Sequence, residues 1–227
     1  MIRVTENFRK IQDLLAKAAV NAGRSADQIR LLAVSKKKPA EAVLEAYSAG
    51  QRDFGENFVQ EGLEKITEVD RDDAIWHFIG HLQSNKTKAV AQHFQWVHTI
   101  DRLKVARRLS TQRPHYAGDL NVCIEVNIDA EDNKSGASVS EVADLAAAIA
   151  ELPRLKLRGL MCLPAICQDV AAQREPFARL RALMESLNDT GMQLDTLSMG
   201  MTADYAAAIQ EGATIVRIGT ALFGARE

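Results

Sequence analysis

Lys36 closes the run Ile29-Arg-Leu-Leu-Ala-Val-Ser-Lys36-Lys-Lys-Pro39, an apolar stretch that stops in three amines. A run of this length closed by a proline reads as a buried strand feeding a helix. An amine at the mouth of such a strand can have its pKa lowered by desolvation and by neighbouring positive charge. It is then suited to attack an aldehyde and form a Schiff base. The plain alternative is that Lys36, Lys37 and Lys38 make a solvated cap, because lysine is rarely buried. Side chains alternate along a strand, so Lys37 should point away from Lys36. Lys38 is the better neighbour to tune Lys36 or to accept an aldehyde itself.

Two late segments carry a second kind of chemistry. Ser198-Met-Gly200-Met-Thr202 and Arg217-Ile-Gly219-Thr220-Ala-Leu-Phe-Gly224 each join a strand-like run to a helix-like one. Each offers a small residue, a glycine that lets a ligand approach the backbone, and a hydroxyl expected at a helix N-cap. Exposed N–H groups at a helix start bind phosphate. Either glycine alone could be turn geometry.

These residues need elements to bring them together. Val4 to Ala22 has apolar residues at Phe8, Ile11, Leu14, Leu15, Ala18 and Ala19, a helical spacing, with Gly23 as a stop. Beyond it, β-favouring runs near 30–35, 51–54, 75–79, 96–100, 121–127, 155–161, 194–198 and 214–218 alternate with helical patterns. The helical patterns lie near 39–49, 57–68, 84–94, 102–112, 138–151, 171–189 and 202–211. Such alternation argues a parallel sheet with crossover helices. The expected fold is α/β, a (β/α)8 TIM barrel with an extra N-terminal helix, one domain over residues 1–227. An open doubly wound sheet is the alternative, but no Gly-x-Gly-x-x-Gly follows the first strand. A barrel gathers functional residues at the C-terminal ends of its strands. It would therefore place Lys36, Asn57 and the two late loops in one ring. An amine facing two phosphate-binding loops points to an aldehyde that carries a phosphate, and pyridoxal phosphate is such a ligand.

The segments Leu32-Ala-Val-Ser-Lys36, Phe54-Gly-Glu-Asn57, Trp76-His-Phe-Ile-Gly80, Leu82-Gln-Ser-Asn-Lys86, His98-Thr-Ile-Asp101, Arg158-Gly-Leu-Met161, Leu197-Ser-Met-Gly-Met201 and Val216-Arg-Ile-Gly-Thr-Ala-Leu-Phe-Gly224 resemble the pyridoxal phosphate homeostasis proteins. These are single-domain relatives of the N-terminal barrel of alanine racemase, and the likeness runs from Leu31 to Arg226. The resemblance implies that Lys36 holds pyridoxal 5'-phosphate as an aldimine. It implies that Ser198, Gly219 and Thr220 contact the phosphate, that Arg217 faces the pyridine nitrogen, and that Asn57 and Met199 line the cofactor. Gly200 joins this set as the glycine of the first loop. His81 stands where some relatives carry proline and takes no role. Pro164 to Glu175 is read as a variable loop. Lys134-Ser-Gly136 resembles a basic family loop that would attract the phosphate, although a solvated turn is the simpler account.

If Arg217 meets the ring nitrogen, binding is favoured over turnover. A guanidinium offers only donors, so the nitrogen facing it is unprotonated and the ring is a weak electron sink. A racemase also needs a second acid/base opposite the lysine. In alanine racemase this is a tyrosine from a second domain and a partner subunit, and the chain ends soon after the last phosphate loop. Tyr47 and Tyr205 fall in helical patterns and Tyr116 in a loop, so none is an evident substitute. The expectation is a non-catalytic carrier that holds the cofactor, exchanges it through an open site and supplies apo-enzymes, working as a monomer. The alternatives are an amino-acid racemase of the alanine racemase type and a cofactor-free aldolase using Lys36 with Glu56 as a nearby acid.

The totals fit such a protein. Apolar residues are 47% and charged residues 26% of 227, with a net charge of -2, so no global field draws the chain to nucleic acid or an anionic membrane. No apolar run reaches the roughly 20 residues of a membrane span. The N-terminus lacks a signal-peptide core, and the expected compartment is the cytoplasm. Cys123, Cys162 and Cys167 lack the partners for a zinc site and read as packing residues or incidental thiols.

Overall fold

Short runs of branched and aliphatic residues, buried on both faces, form parallel strands, and the helical stripes between them cover the outer face. The computed structural model describes residues 3–131, 134–165, 167 and 169–224, without the side chains of Val170 and Ala171. Among these residues, eight parallel strands close into a barrel in chain order. They are β1 (Arg30–Val34), β2 (Asp53–Glu56), β3 (Ile75–Phe78), β4 (Trp96–Ile100), β5 (Leu120–Glu125), β6 (Leu155–Met161), β7 (Thr196–Ser198) and β8 (Ile215–Ile218). The ring closes where β1 pairs with β8, Arg30 opposite Ile215 and Leu32 opposite Arg217. Helix α1 (Val4–Asn21) precedes the barrel and buries Phe8, Ile11 and Leu15. The crossover helices are α2 (Ala40–Ser48), α3 (Val59–Val69), α4 (Thr87–His93), α5 (Leu103–Gln112), α6 (Val142–Ala150), α7 (Val170–Asp189) and α8 (Tyr205–Gln210), and a short α9 (Thr220–Phe223) follows β8. This is the expected (β/α)8 barrel with its extra N-terminal helix. No helix among the described residues is long and apolar enough to cross a membrane.

Apolar packing falls into two layers. Phe54, Phe78, Phe94 and Phe177 belong to the large cluster that includes the buried faces of the helices. Inside the barrel, Leu32, Trp96, Cys123, Met161 and Ile215 form a second, smaller cluster. Period-two alternation along the strands then sets which neighbours share the interior. Arg217 follows Ile215, and Lys36 falls two residues beyond Val34 and four beyond Leu32, on the same parity.

Some boundaries differ from the sequence reading. The second strand, expected near 51–54, runs Asp53–Glu56. Gln51 ahead of it is buried, its amide donating to the carbonyls of Leu31 and Asp53, while the strand continues through a glycine and a buried carboxylate. Neither Gly55 nor Glu56 favours a strand by itself; pairing with β3 and a buried ion pair from Glu56 to Lys65 on α3 hold them there. The helix caps also differ. Asp204 rather than Thr202 stands at the N-cap of α8, and Gly219 rather than Thr220 at that of α9. Part of the expected variable loop, Ile166 and Gln168, lies outside the described residues.

Gly159 in β6 shows how closely the strands meet. A Cβ there would lie 1.8 Å from the carbonyl oxygen of Thr196 on β7. Gly159→Ala must therefore spread the β6–β7 pair, and a loss of about 3 kcal/mol, the upper end for overpacking, is expected in urea unfolding. A wild-type midpoint would contradict this account of the barrel wall.

Candidate functional site

The turn after β1 is built to present Lys36. Ser35 is fully buried; its hydroxyl donates to Glu56 Oε1 at 2.6 Å and its carbonyl accepts from Lys65 Nζ at 2.6 Å. Lys65, buried on α3, also donates to Glu56 Oε1 and Glu61 Oε1, each at 2.7 Å. The Lys37 N–H donates to Glu61, and the Lys38 N–H to the Ser35 carbonyl at 3.0 Å. Lys37 takes a left-handed conformation, φ 59°, which costs a side-chain-bearing residue about 1 kcal/mol or more. The bond to Glu61 offsets that strain. Lys36 is thus bracketed by fixed neighbours, while Lys37 is exposed and Lys38 half-buried. Burial pushes the Glu56 carboxyl up, Lys65 pulls it back, and Glu56 Oε2 is buried without a partner. Glu56 is therefore turned into this ion-pair cluster.

A cavity of about 300 Å³ opens at the C-terminal mouth of the barrel. Lys36, Asn57, Arg217, Gly219 and Thr220 line it, with Thr202 and Ala203 of the preceding loop. Its apolar wall comes from Val34, Ile79, Met161, Leu163 and Met201. Five of the eight residues singled out from sequence thus meet at one cavity. Ser198, Met199 and Gly200 do not line it; Ser198 and Met199 are fully buried in the stem beneath. Gly200 has φ 90°, and a Cβ there would meet the Ala208 Cβ at 2.6 Å, so glycine allows the chain to turn tightly out of β7 over α8. The Gly200 carbonyl accepts the Arg217 N–H at 3.0 Å, tying the two loops together. The Met201 N–H donates to Asp204 Oδ1.

Arg217 is 4% exposed and its acceptors are all internal. Nη1 donates to the Ser198 carbonyl at 2.6 Å and to Ser198 Oγ at 2.8 Å, and Nη2 to the Cys162 carbonyl at 2.9 Å. Burial lowers its pKa from the usual arginine value, and the nearby acidic groups oppose that shift. Three of a guanidinium's five N–H groups are committed, which leaves two for a ligand. Burial pushes the thiols of Cys123 and Cys162 up to about 12, so both are neutral packing groups.

Sequence reasoning missed several groups. His77 and His98 are fully buried inside the barrel and hydrogen-bonded to each other. The available signal was a histidine in the middle of each of two apolar runs, since a buried polar side chain needs a partner. Glu125, at the end of β5, is 6% exposed and lies within the fields of Asp101 and Arg217. Lys134 pairs with Glu131 at 2.6 Å and donates to the carbonyl of Leu163 at 3.3 Å, which sets it at the rim. Tyr47 donates to Asp73 outside the barrel, Tyr116 is exposed, and Tyr205 opens α8; none lines the cavity. Among the described residues no cluster of His, Cys, Asp and Glu could hold a metal ion.

Comparison with known proteins adds to this geometry. The family model for the alanine racemase N-terminal domain matches residues 4–227. A pyridoxal phosphate homeostasis protein of Pseudomonas aeruginosa is 54% identical over 227 residues, covering 100% of this chain and 97% of the relative. One of Escherichia coli is 51% identical over 227 residues, covering 99% and 97%. PipY of Synechococcus elongatus has been solved without PLP and with PLP bound, at 35% identity. Its PLP-free form superposes with a TM-score of 0.87 over 97% of this chain and 100% of that one. The PLP-bound form gives 0.81 over 92% and 100%.

Glu125 makes stability depend on pH. Burial first, then the like charge of Asp101, pushes its carboxyl from 4.5 up to about 7 against the pull of Arg217. Between those values the folded chain keeps a proton that the unfolded chain has released. Its contribution is therefore full below about 4.5 and lost as the pH rises through about 7. The loss is of order 3 kcal/mol. Urea unfolding of Glu125→Gln at about pH 5 and about pH 8 should show this slope flattened. An unchanged slope would place the proton elsewhere.

Proposed function

The chain belongs to the pyridoxal phosphate homeostasis proteins, with the alanine racemase N-terminal domain over residues 4–227, and on that premise we propose that it binds pyridoxal 5'-phosphate at the barrel mouth, buffers it and supplies it without turnover. One observation carries the reading: an amine, a guanidinium and two hydroxyl-bearing loops converge on a single cavity. The donor set suits the ligand group by group. Lys36 supplies the amine for its aldehyde. Gly219 and Thr220, with Thr202 and the first N–H groups of α9, offer donors for its phosphate. Arg217 has two N–H groups left for its ring nitrogen. Asn57 Oδ1 is buried with no partner and offers an acceptor to a hydroxyl. Ser198, Met199 and Gly200 support the site from behind, shaping the loop and holding Arg217. The cofactor itself supplies an aldehyde and an aromatic ring able to withdraw electrons.

This chain's residues favour holding over turnover. Arg217 offers only donors and thus favours an unprotonated ring nitrogen, which weakens the ring as an electron sink. Lys36 and Arg217 are the titratable residues in the described cavity lining, which supports a binder over a racemase needing an acid/base on each face. The relatives' naming as homeostasis proteins points the same way. The carrier is taken to work as a monomer. Recipients are apo-enzymes that use the same cofactor. Buried reduced thiols at Cys123 and Cys162 suit the cytoplasm.

Titration of the purified protein with pyridoxal phosphate should raise a visible absorbance band. Borohydride should then fix a pyridoxyl group to Lys36, and Lys36→Ala should abolish both. A protein left colourless and unmodified at saturating ligand would sink the reading. Loaded protein mixed with a cofactor-dependent apo-enzyme should restore its activity, and D- or L-alanine should remain unracemised. Cofactor that stays bound would refute supply, and racemisation would refute the carrier.

A further inference from the structure

The interior of the barrel beneath Arg217 is crossed by a column of polar side chains that direct cofactor binding does not use. Asp53, at the foot of β2, has a side chain 14% exposed. Its Oδ1 lies 2.9 Å from His77 Nε2, His77 Nδ1 lies 2.9 Å from His98 Nε2, and His98 Nδ1 lies 2.8 Å from Ser198 Oγ. Ser198 Oγ lies in turn 2.8 Å from Arg217 Nη1. The column links the N-terminal mouth to the cofactor cavity without a break.

Its two ends fix the direction of every proton. Arg217 has no acceptor atom, so Ser198 Oγ must accept from it. The Ser198 hydroxyl proton then points to His98 Nδ1, which must be bare. A neutral His98 therefore carries its proton on Nε2 and donates it to His77 Nδ1. From the other end, a carboxylate only accepts, so His77 carries its proton on Nε2 and donates it to Asp53. That leaves His77 Nδ1 bare, the state the first argument requires. Derivations from opposite mouths thus meet at one tautomer for each ring. Burial pushes both imidazoles down, His98 well below its usual value, with His77, Arg217 and Arg30 adding to that shift. Asp53 opposes it at His77, and Arg30 Nη1 pairs with Asp53 at 3.3 Å. The Trp96 ring stacks on His77 at 5.4 Å, which fixes the plane of that imidazole.

We propose that Asp53, His77 and His98 are positioning residues for Arg217, forming a one-way hydrogen-bond relay that fixes the Ser198 hydroxyl and so determines which guanidinium donors face the cavity. Its consequence for ligand affinity rests on the reading of that cavity as a pyridoxal phosphate site; its proton arrangement does not. Ser198 thereby acts on the cofactor through Arg217.

The first test needs no ligand. In wild-type protein labelled with 15N-histidine, His77 and His98 should both appear as neutral Nε2–H tautomers, unchanged between about pH 6 and 8. An Nδ1–H tautomer or an imidazolium at either ring would overturn the relay. The second test separates positioning from packing. His98→Asn keeps a polar side chain with an acceptor oxygen for Ser198, whereas His98→Leu fills the space without one. Pyridoxal phosphate titration should show Leu weakening affinity about tenfold and Asn restoring most of it. Equal affinities, or Leu binding better than Asn, would overturn positioning. If the tautomers are as stated but wild type binds no pyridoxal phosphate, the relay stands and the functional reading falls.

Discussion

A guanidinium inside a β-barrel has to find acceptors within the protein, because an unpaired buried charge costs several kcal/mol. Arg217 meets that demand with two carbonyls and a hydroxyl, contributed by Ser198 and Cys162. Much of the site follows from this choice. Ser198 must turn its oxygen to Arg217, so its proton must go elsewhere, and His98 is placed to take it. The carbonyls of Ser198 and Cys162 are drawn inward at the ends of β7 and β6, where the cavity begins. The cationic side of the cavity is thus anchored in the barrel wall.

The other side has an anchor of its own. Lys65 gathers Ser35, Glu56 and Glu61 into a buried cluster at the end of β1 and β2. Such ion pairs add little net stability once desolvation is counted, and removing one partner is far more damaging than never having built the pair. Geometry is what the cluster provides. It fixes residues on both sides of Lys36 while Lys36 itself reaches the cavity. The amine and the guanidinium therefore both rest on strand termini and buried polar contacts, while loop residues such as Thr202 and Gly219 complete the lining.

The sequence exposed the fold and the front of the site more readily than its support. Alternating strand and helix patterns, with amines and glycines at strand ends, located Lys36, Asn57 and the two late loops, because each is a local feature. The column behind Arg217 is not local. Its links join residues 24, 21, 100 and 19 positions apart, and only closure of the barrel brings them together. A histidine within Ile75-Trp-His-Phe78 or Trp96-Val-His-Thr-Ile100 is visible in the sequence, but its partner is not. The end of β2 was obscured for a similar reason. Glu56 looks like a loop residue until Lys65, nine positions on, makes it a buried one. The resemblance implies a phosphate contact for Ser198, and what the sequence could not show is that its hydroxyl lies within hydrogen-bond reach of both Arg217 and His98.

Charge placement in such a cavity favours a phosphorylated aldehyde over its neutral analogue. Its lining offers an amine, a guanidinium, hydroxyls and an orphaned amide oxygen, while the nearby carboxylates are restrained. Glu56 is turned to Lys65, and Glu125 is held by burial near the midpoint of its titration at neutral pH. Within low-dielectric walls, a field of one sign concentrates ligands of the other. An anion gains from that field wherever it sits, whereas an aldehyde without a phosphate gains only at Lys36. Among the described residues, no carboxylate, histidine or tyrosine lines the cavity. A catalytic barrel would need to bring one there, and a carboxylate in that position would weaken the field that retains the phosphate. Retention and proton abstraction would thus draw on the same few positions around the mouth, and the described lining gives those positions to hydrogen-bond donors and cations.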